Sequence, residues 1–183
     1  MVISHGDNDH AGGADWLEQQ IAVGQRIGHG GTACNLGPTR WRGLVLRWAQ
    51  APYDGNDGSC VLHLSDGDTR VLLPGDIEAA GEQYLLGTSL AGPVDLVLAP
   101  HHGSKTSSSE RFVEAFRPQR VVFPAGRDNR WRFPHPDVVA RYRQVGSEIL
   151  ISGQTGQLQI DLGTQPKVLS YRQHLAPWWY NRQ

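Results

Sequence analysis

Four side chains able to bind a metal fall within six residues: His5, Asp7, Asp9 and His10. They follow Val2-Ile3, which reads as the end of a buried strand. A loop leaving such a strand can turn all four donors toward one point. Two imidazoles with two carboxylates suit Zn, Mn or Fe better than Ca or Mg, and a set this dense can serve two adjacent ions. The alternative is a solvated polar loop, but Gly12-Gly13 directly behind implies tight packing that such a loop does not need.

Three later places add donors. Asp76 follows Val71-Leu72-Leu73 and Gly75. A carboxylate at a strand's end can bridge two ions, although Gly-Asp is also common in plain turns. The apolar run Val94 to Ala99 ends in Pro100-His101-His102-Gly103-Ser104. One imidazole there can bind metal while the other donates a proton or holds a phosphate. Gly103 and Ser104 supply N–H and hydroxyl donors suited to phosphate oxygens. The competing reading is a structural histidine pair. His135 stands between Pro134 and Pro136, and Pro136 holds it extended at the mouth of a helix. That position lines a site or makes a surface turn. Arg127, Asn129 and Arg130 just upstream form a local basic edge or a solvated loop.

The elements that must position these groups are short. Strands are expected at Gly43 to Trp48, Ser59 to Leu64, Arg70 to Leu73, Val94 to Ala99 and Arg120 to Phe123, with a hairpin turn at Asp66-Gly67. Helices are expected at Ala11 to Gln20, with Trp16 and Leu17 facing inward, at Ile77 to Leu86, from Ser109 as N-cap to Phe116, and at Pro136 to Gln144. Glu148 to Ser152 and Gln157 to Leu162 read as a final hairpin. Hairpins followed by strand–helix alternation indicate a mixed α/β (α+β) layered fold.

The 183 residues suffice for one domain with a sizeable core. A formal net charge of -1 provides no global basic field, so contact with nucleic acid must come from a local patch. Only Lys105 and Lys167 are lysines among the 17 basic residues, leaving arginine as the main phosphate donor. Cys34 and Cys60 make either one disulfide or two thiols, which leaves the compartment open. No run approaches the ~18 apolar residues of a membrane span, and no signal peptide opens the chain.

In order, the motifs are His-x-Asp-x-Asp-His, Gly-Asp, His-His-Gly-Ser and His-Pro. The set resembles the metallo-β-lactamase superfamily, whose pattern is His-x-His-x-Asp-His. It is similar in particular to the C-terminal hydrolase domain of the ComEC family of DNA-uptake channels, which carries Asp where Asp7 stands. Asn56 to Ser59 before Val61-Leu62, Gly75-Asp76-Ile77-Glu78, and Pro100 to Ser108 extend the likeness. It runs from Val2 to about Leu162, so residues 1–162 are expected to form the hydrolase domain and 163–183 a tail.

The resemblance implies an αββα sandwich of two sheets between helices, with two divalent ions, Mn or Zn. His5 and Asp7 would hold one ion and Asp9 and His10 the other, bridged by Asp76. The last ligand is His102 or His135. Asn56 stands where the superfamily usually has a histidine, and with Asp7 it makes the first site oxygen-rich, which favours Mn. Asp9 would orient or deprotonate the attacking water, His101 or His135 would protonate the leaving oxygen, and Asn56, Gly103 and Ser104 would meet phosphate. The implied substrate is single-stranded DNA during natural transformation. The implied parent is an inner-membrane protein with a membrane channel and this domain outside the cytoplasm. Family members carry several strands, a Gly-rich turn and a helix before the first motif, so an N-terminally truncated domain is expected. The competing functions are a thioester, ester or lactone hydrolase on the same fold, and an inactive remnant.

Overall fold

Along three consecutive strands, almost every residue is apolar, the pattern of strands covered on both faces. In the computed structural model, which describes residues 1–161, 163 and 167–177, these are β6 to β8 of a larger set. The strands are β1 (Val2–Ile3), β2 (Ile27–Gly28), β3 (Thr39–Trp41), β4 (Leu44–Ala49), β5 (Val61–Ser65), β6 (Arg70–Leu73), β7 (Leu96–Leu98), β8 (Arg120–Phe123), β9 (Glu148–Ile151), β10 (Leu158–Asp161) and β11 (Lys167–Ser170). The helices that matter here are α1 (Asn8–Ala11), α2 (Ala14–Gln20), α3 (Ala79–Leu86), α4 (Glu110–Phe116) and α5 (Pro136–Gln144).

Strands β3 to β9 form one seven-stranded sheet in sequence order. Its first half, β3 to β6, is antiparallel, and β6 to β9 run parallel with α3, α4 and α5 as the intervening crossovers. Side chains alternate between the faces as a strand's period of two requires. Leu72, Val97, Val121 and Phe123 point into a core with Leu85 of α3, Phe112, Val113 and Phe116 of α4, and Val138, Val139 and Tyr142 of α5. Val71, Leu96, Val122 and Leu150 point the other way, against Leu158, Ile160 and Val168 of the β10–β11 hairpin. Among the described residues, the place of the sandwich's second sheet is taken by two ribbons, β10–β11 and the parallel pair β1–β2.

The structure corrects several expectations. Strand β9 does not start a final hairpin; it joins the sheet parallel to β8, and β10 pairs with β11 instead. The boundary expected after residue 162 stands between two strands that pair with each other, β10 and β11, and Thr69 Oγ1 donates to the Gly163 carbonyl at 2.8 Å. The helix expected from Ala11 to Gln20 is broken at Gly12-Gly13 into α1 and α2. Trp16 and Leu17 face outward, at 64% and 37% exposure, and Ala14 is the residue that α2 buries. The expected tail residues Trp178, Trp179 and Arg182 lie outside the described residues.

Two cross-links hold the loops at the sheet's edge. Cys34 and Cys60 form a disulfide with Cα atoms 5.7 Å apart, closing a separation of 26 residues. Glu82 of α3 is buried, and its carboxylate accepts from the backbone N–H groups of Ser108 and Ser109. Burial pushes its carboxyl above the usual range against the pull of these donors.

Glu82→Ala leaves two buried N–H groups without an acceptor and should cost roughly 2–5 kcal/mol. Thermal melting is expected to show Tm lower by on the order of 5–15 °C. Removing the disulfide, by Cys34→Ser with Cys60→Ser or by dithiothreitol, should cost roughly 3 kcal/mol from the freed loop. Denaturant titration with and without reductant measures it, and equal midpoints would show that the pair contributes nothing.

Candidate metal centre

The carboxyl ends of parallel strands collect ligands in open α/β sheets, because successive strand–helix turns converge there. Here the end of β6 leads to Asp76, the end of β7 to His101 and His102, and the end of β8 to Pro124 and the loop beyond. Strand β1 runs out at the same edge, its Ser4 carbonyl accepting from the Cys60 N–H at 2.7 Å. Gly75 (φ 63°) lies so close that a Cβ would come within 2.8 Å of Ser4 and 2.9 Å of Ser59. Only glycine lets Asp76 reach the site, and Ser59 Oγ then accepts from the Asp76 N–H at 3.2 Å. His101 and His102 both sit in left-handed backbone, φ 47° and 54°. For residues with a Cβ that costs roughly 1–2 kcal/mol each, and such conformations concentrate at functional sites.

These turns bring five of the expected ligands together. Asp76 Oδ1 is 3.3 Å from His10 Nε2, and Asp76 Oδ2 is 3.5 Å from His102 Nε2. Asp9 Oδ2 is 3.3 Å from His102 Nε2 and 3.7 Å from His10 Nε2. His5, His10 and Asp76 offer donor atoms within 4.8 Å of one another, as do Asp9, His10 and His102. Asp7 stands beside the first group, 3.6 Å from His5 Nε2. The two groups share His10, whereas the resemblance separated His5 with Asp7 from Asp9 with His10.

The imidazole nitrogens pointing into this space are the ones left over. The Nε2 atoms of His5, His10 and His102 are buried with no aligned hydrogen-bond partner. Carboxylate oxygens are close but off the line of the ring N–H, as when a third atom belongs between. The Nδ1 atoms are occupied: Ser4 Oγ lies 3.1 Å from Nδ1 of both His5 and His10, and His102 Nδ1 donates to the Pro124 carbonyl at 3.1 Å. The hydroxyl has two lone pairs, enough to accept from both rings. With every Nδ1 protonated, all three Nε2 lone pairs are free to ligate. Three imidazoles with three carboxylates fit a divalent ion of the Mn or Zn kind.

Burial, followed by the charge of His10, pushes the His5 imidazole below its ordinary value. The close approach to Asp76 outweighs burial and lifts His10 above it. Burial alone would raise the Asp76 carboxyl, but the His10 contact and the charges of His102, His10 and His5 overcome it and hold Asp76 below the usual range. Asp76 is thus ready as an anionic ligand although buried.

A second network lies beside the ligands. Glu78 Oε1 is 3.0 Å from His101 Nδ1 and accepts from Thr106 Oγ1 at 2.8 Å and Asn56 Nδ2 at 3.4 Å. Asp57 fixes the start of α3 by accepting from the N–H groups of Glu78 and Gly81 at 2.8 and 2.7 Å. With Nδ1 engaged, Nε2 is the nitrogen His101 has left for proton exchange. A cleft of about 280 Å³ is lined by Asp7, Asp9, Asp76, His101, His102 and Phe133, among others.

The remaining expected residues lie elsewhere. Asn56 does not line the cleft; it stands behind Glu78. Gly103 is packed so tightly that a Cβ would meet Phe123 and Pro134 within 2.7 Å, and its carbonyl accepts from His135 N–H. Ser104 is buried, with its Oγ 2.9 Å from Thr106 Oγ1. His135 caps α5, its Nδ1 accepting from the Asp137 N–H at 3.3 Å, and belongs to neither ligand group. Sequence reading missed Ser4 and Glu78 as positioning groups. A hydroxyl directly before a ligand histidine and a carboxylate two residues after a ligand aspartate are the signals that could have found them.

The metallo-beta-lactamase superfamily matches the chain over residues 49–127. Recombination protein 2 of Haemophilus influenzae is 32% identical over 194 residues, covering 98% of this chain and 24% of that protein. ComE operon protein 3 of Bacillus subtilis is 32% identical over 185 residues, covering 87% of this chain and 24% of that one. The chain thus spans about a quarter of the length of these relatives. Among solved structures, the metallo-beta-lactamase fold protein YhfI from Bacillus subtilis superposes with TM-score 0.52 at 14% identity, over 82% of this chain and 72% of that one. At that identity the likeness speaks for the fold alone.

Ser4→Ala frees both Nδ1 atoms while leaving every ligand in place. Loss of such a supporting partner typically weakens metal affinity about 10–100-fold. Calorimetric titration with Mn or Zn is expected to show that loss at unchanged Tm of the metal-free protein; unchanged affinity would mean the hydroxyl does not set the tautomers.

Proposed function

Because this chain belongs to the metallo-β-lactamase superfamily and matches the corresponding part of ComEC-type competence proteins, we propose that it hydrolyses phosphodiester bonds of DNA during uptake. The observation that carries the reading is the set of three buried, partnerless Nε2 atoms around a two-sided Asp76. His5, His10 and Asp76, with Asp7 beside them, would hold one divalent ion, and Asp9 and His102, with Asp76 and His10 close by, would hold another. Bound ions of the Mn kind supply Lewis acidity that activates water and neutralises charge on phosphoryl oxygens.

The chain's own groups do the rest. Asp9, the most exposed ligand carboxylate facing His102, orients the attacking water and takes its proton. His101, held by Glu78 through Nδ1, gives a proton from Nε2 to the leaving oxygen. His135, engaged at the cap of α5, leaves that role to His101. The relatives named for recombination and competence support DNA as the substrate. A place outside the cytoplasm is supported by the Cys34–Cys60 disulfide, a bond that persists in oxidising compartments, and a larger, membrane-bound parent belongs to the same reading because the relatives are about four times as long as this chain. No described helix is long and apolar enough to cross a membrane.

The test combines elemental analysis of the purified chain with cleavage of labelled single-stranded DNA in added Mn. Asp76→Ala should lose both metal and cleavage. His101→Ala should keep its metal and lose about 10²–10⁴-fold in kcat, the usual contribution of a general acid. Metal without cleavage of DNA, but with turnover of a thioester or lactone, would move the reading to a small-molecule hydrolase. A metal-free wild type would end it.

A further inference from the structure

Between β8 and α5 runs Gly-Arg-Asp-Asn-Arg-Trp-Arg-Phe, residues 126–133, which form one wall and rim of the cleft through Gly126, Asn129, Trp131 and Phe133. The wall is a file of planar rings. Phe133 stacks on the ligand His102 at 6.4 Å and 21° and meets His101 edge-on at 5.7 Å. Trp131 stacks in turn on Phe133 at 6.3 Å and 12°. Trp131 is 60% exposed, although indole is among the side chains with most to gain from burial. The Arg130 guanidinium lies over its ring at 4.1 Å.

The loop is built rather than slack. Asn129 Nδ2 donates to the Gly126 and Phe133 carbonyls at 2.9 and 2.7 Å, and its Oδ1 accepts from the Phe133 N–H at 2.9 Å. Arg127, Arg130 and Arg132 are exposed, and among the described residues none is paired with a carboxylate. A chain with no net positive field thus gathers three guanidiniums within six residues, around the single carboxylate of Asp128, on the loop that walls its cleft, with Arg127 and Arg132 lining the adjoining hollow.

We infer that residues 126–133 are a subsite for an unstacked nucleobase of single-stranded DNA, with Trp131 as its platform; this rests on the phosphodiesterase reading above. Every base has a π-face, so stacking on an exposed indole is tolerant of sequence. The arginines take the phosphates on either side, where their planar forks fit best. On entry of the base, Arg130 exchanges the indole face for a phosphate. A duplex keeps its bases stacked internally and cannot use the platform, so the subsite selects single strands. A protein partner would also find aromatic and arginine anchors here, but the continuity of the ring file with a ligand histidine favours the substrate of that same site.

The test measures binding of fluorescein-labelled oligonucleotides by anisotropy, in EDTA so that cleavage plays no part. Wild type should prefer a single strand to the duplex. Trp131→Ala should weaken single-strand binding about 5- to 150-fold and Trp131→Phe much less, while an abasic strand of the same length should bind wild type and variant alike. Alanine at Arg127, Arg130 or Arg132 should each reduce the slope of log K against log salt by about one. In Mn, Trp131→Ala should raise KM with kcat unchanged. Equal loss on the abasic strand, or no loss on the normal one, overturns the subsite. If the wild type cleaves single strands and Trp131→Ala matches it in KM and affinity, the subsite fails and the hydrolase reading stands. If the wild type neither binds nor cleaves, the phosphodiesterase reading itself fails and takes the nucleobase subsite with it.

Discussion

Three imidazole nitrogens, on His5, His10 and His102, are buried with no aligned hydrogen-bond partner among the described residues, although carboxylates stand close by. An unsatisfied buried polar atom costs about 1–3 kcal/mol, and here three are pointed at one another across a carboxylate. A sequence that keeps such a cluster must offset it elsewhere, and the surrounding structure shows how. Ser4 and the Pro124 carbonyl hold the rings by their other nitrogens, and Gly75 is squeezed between Ser4 and Ser59 so that Asp76 arrives from behind.

The sheet does most of this positioning. The parallel half carries Asp76, His101 and His102 to one edge on successive turns, and the core under it is closed on both faces. The antiparallel half contributes differently. The turn leading into β5 presents Ser59 and Cys60, and through them fixes both Asp76 and the chain leaving β1. The disulfide from Cys60 to Cys34 anchors the same corner from the far side. The candidate ligands therefore come from segments far apart in sequence, yet each is tied to a rigid element within a few residues.

Much of this was legible because apolar runs that stop abruptly at polar clusters mark strand ends, and the runs before Asp76 and His101 do so. The Ser109 cap and the Pro136 helix start were readable from local chemistry, and Ser109 Oγ does accept from the Phe112 N–H. What could not be read was direction. His135 and Ser104 have ligand-like chemistry, but the turn geometry sends one to a helix cap and the other into the loop's interior. Trp16 and Leu17 have inner-face chemistry, but after the break at Gly12-Gly13 α2 buries Ala14 and leaves both of them exposed. Pairing was equally hidden: β9 and β10 are adjacent in sequence, and only the sheet decides that they go to different partners.

The left-handed backbone at His101 and His102 filters what can replace them. Apart from glycine, the residues that enter that region most readily are asparagine, aspartate and histidine. Aliphatic and β-branched side chains are turned away by the main chain before any chemistry is considered. At position 102, the tolerated set contains two metal ligands. Drift there would tend to exchange an imidazole for a carboxylate, shifting which ion is preferred and leaving a donor in place.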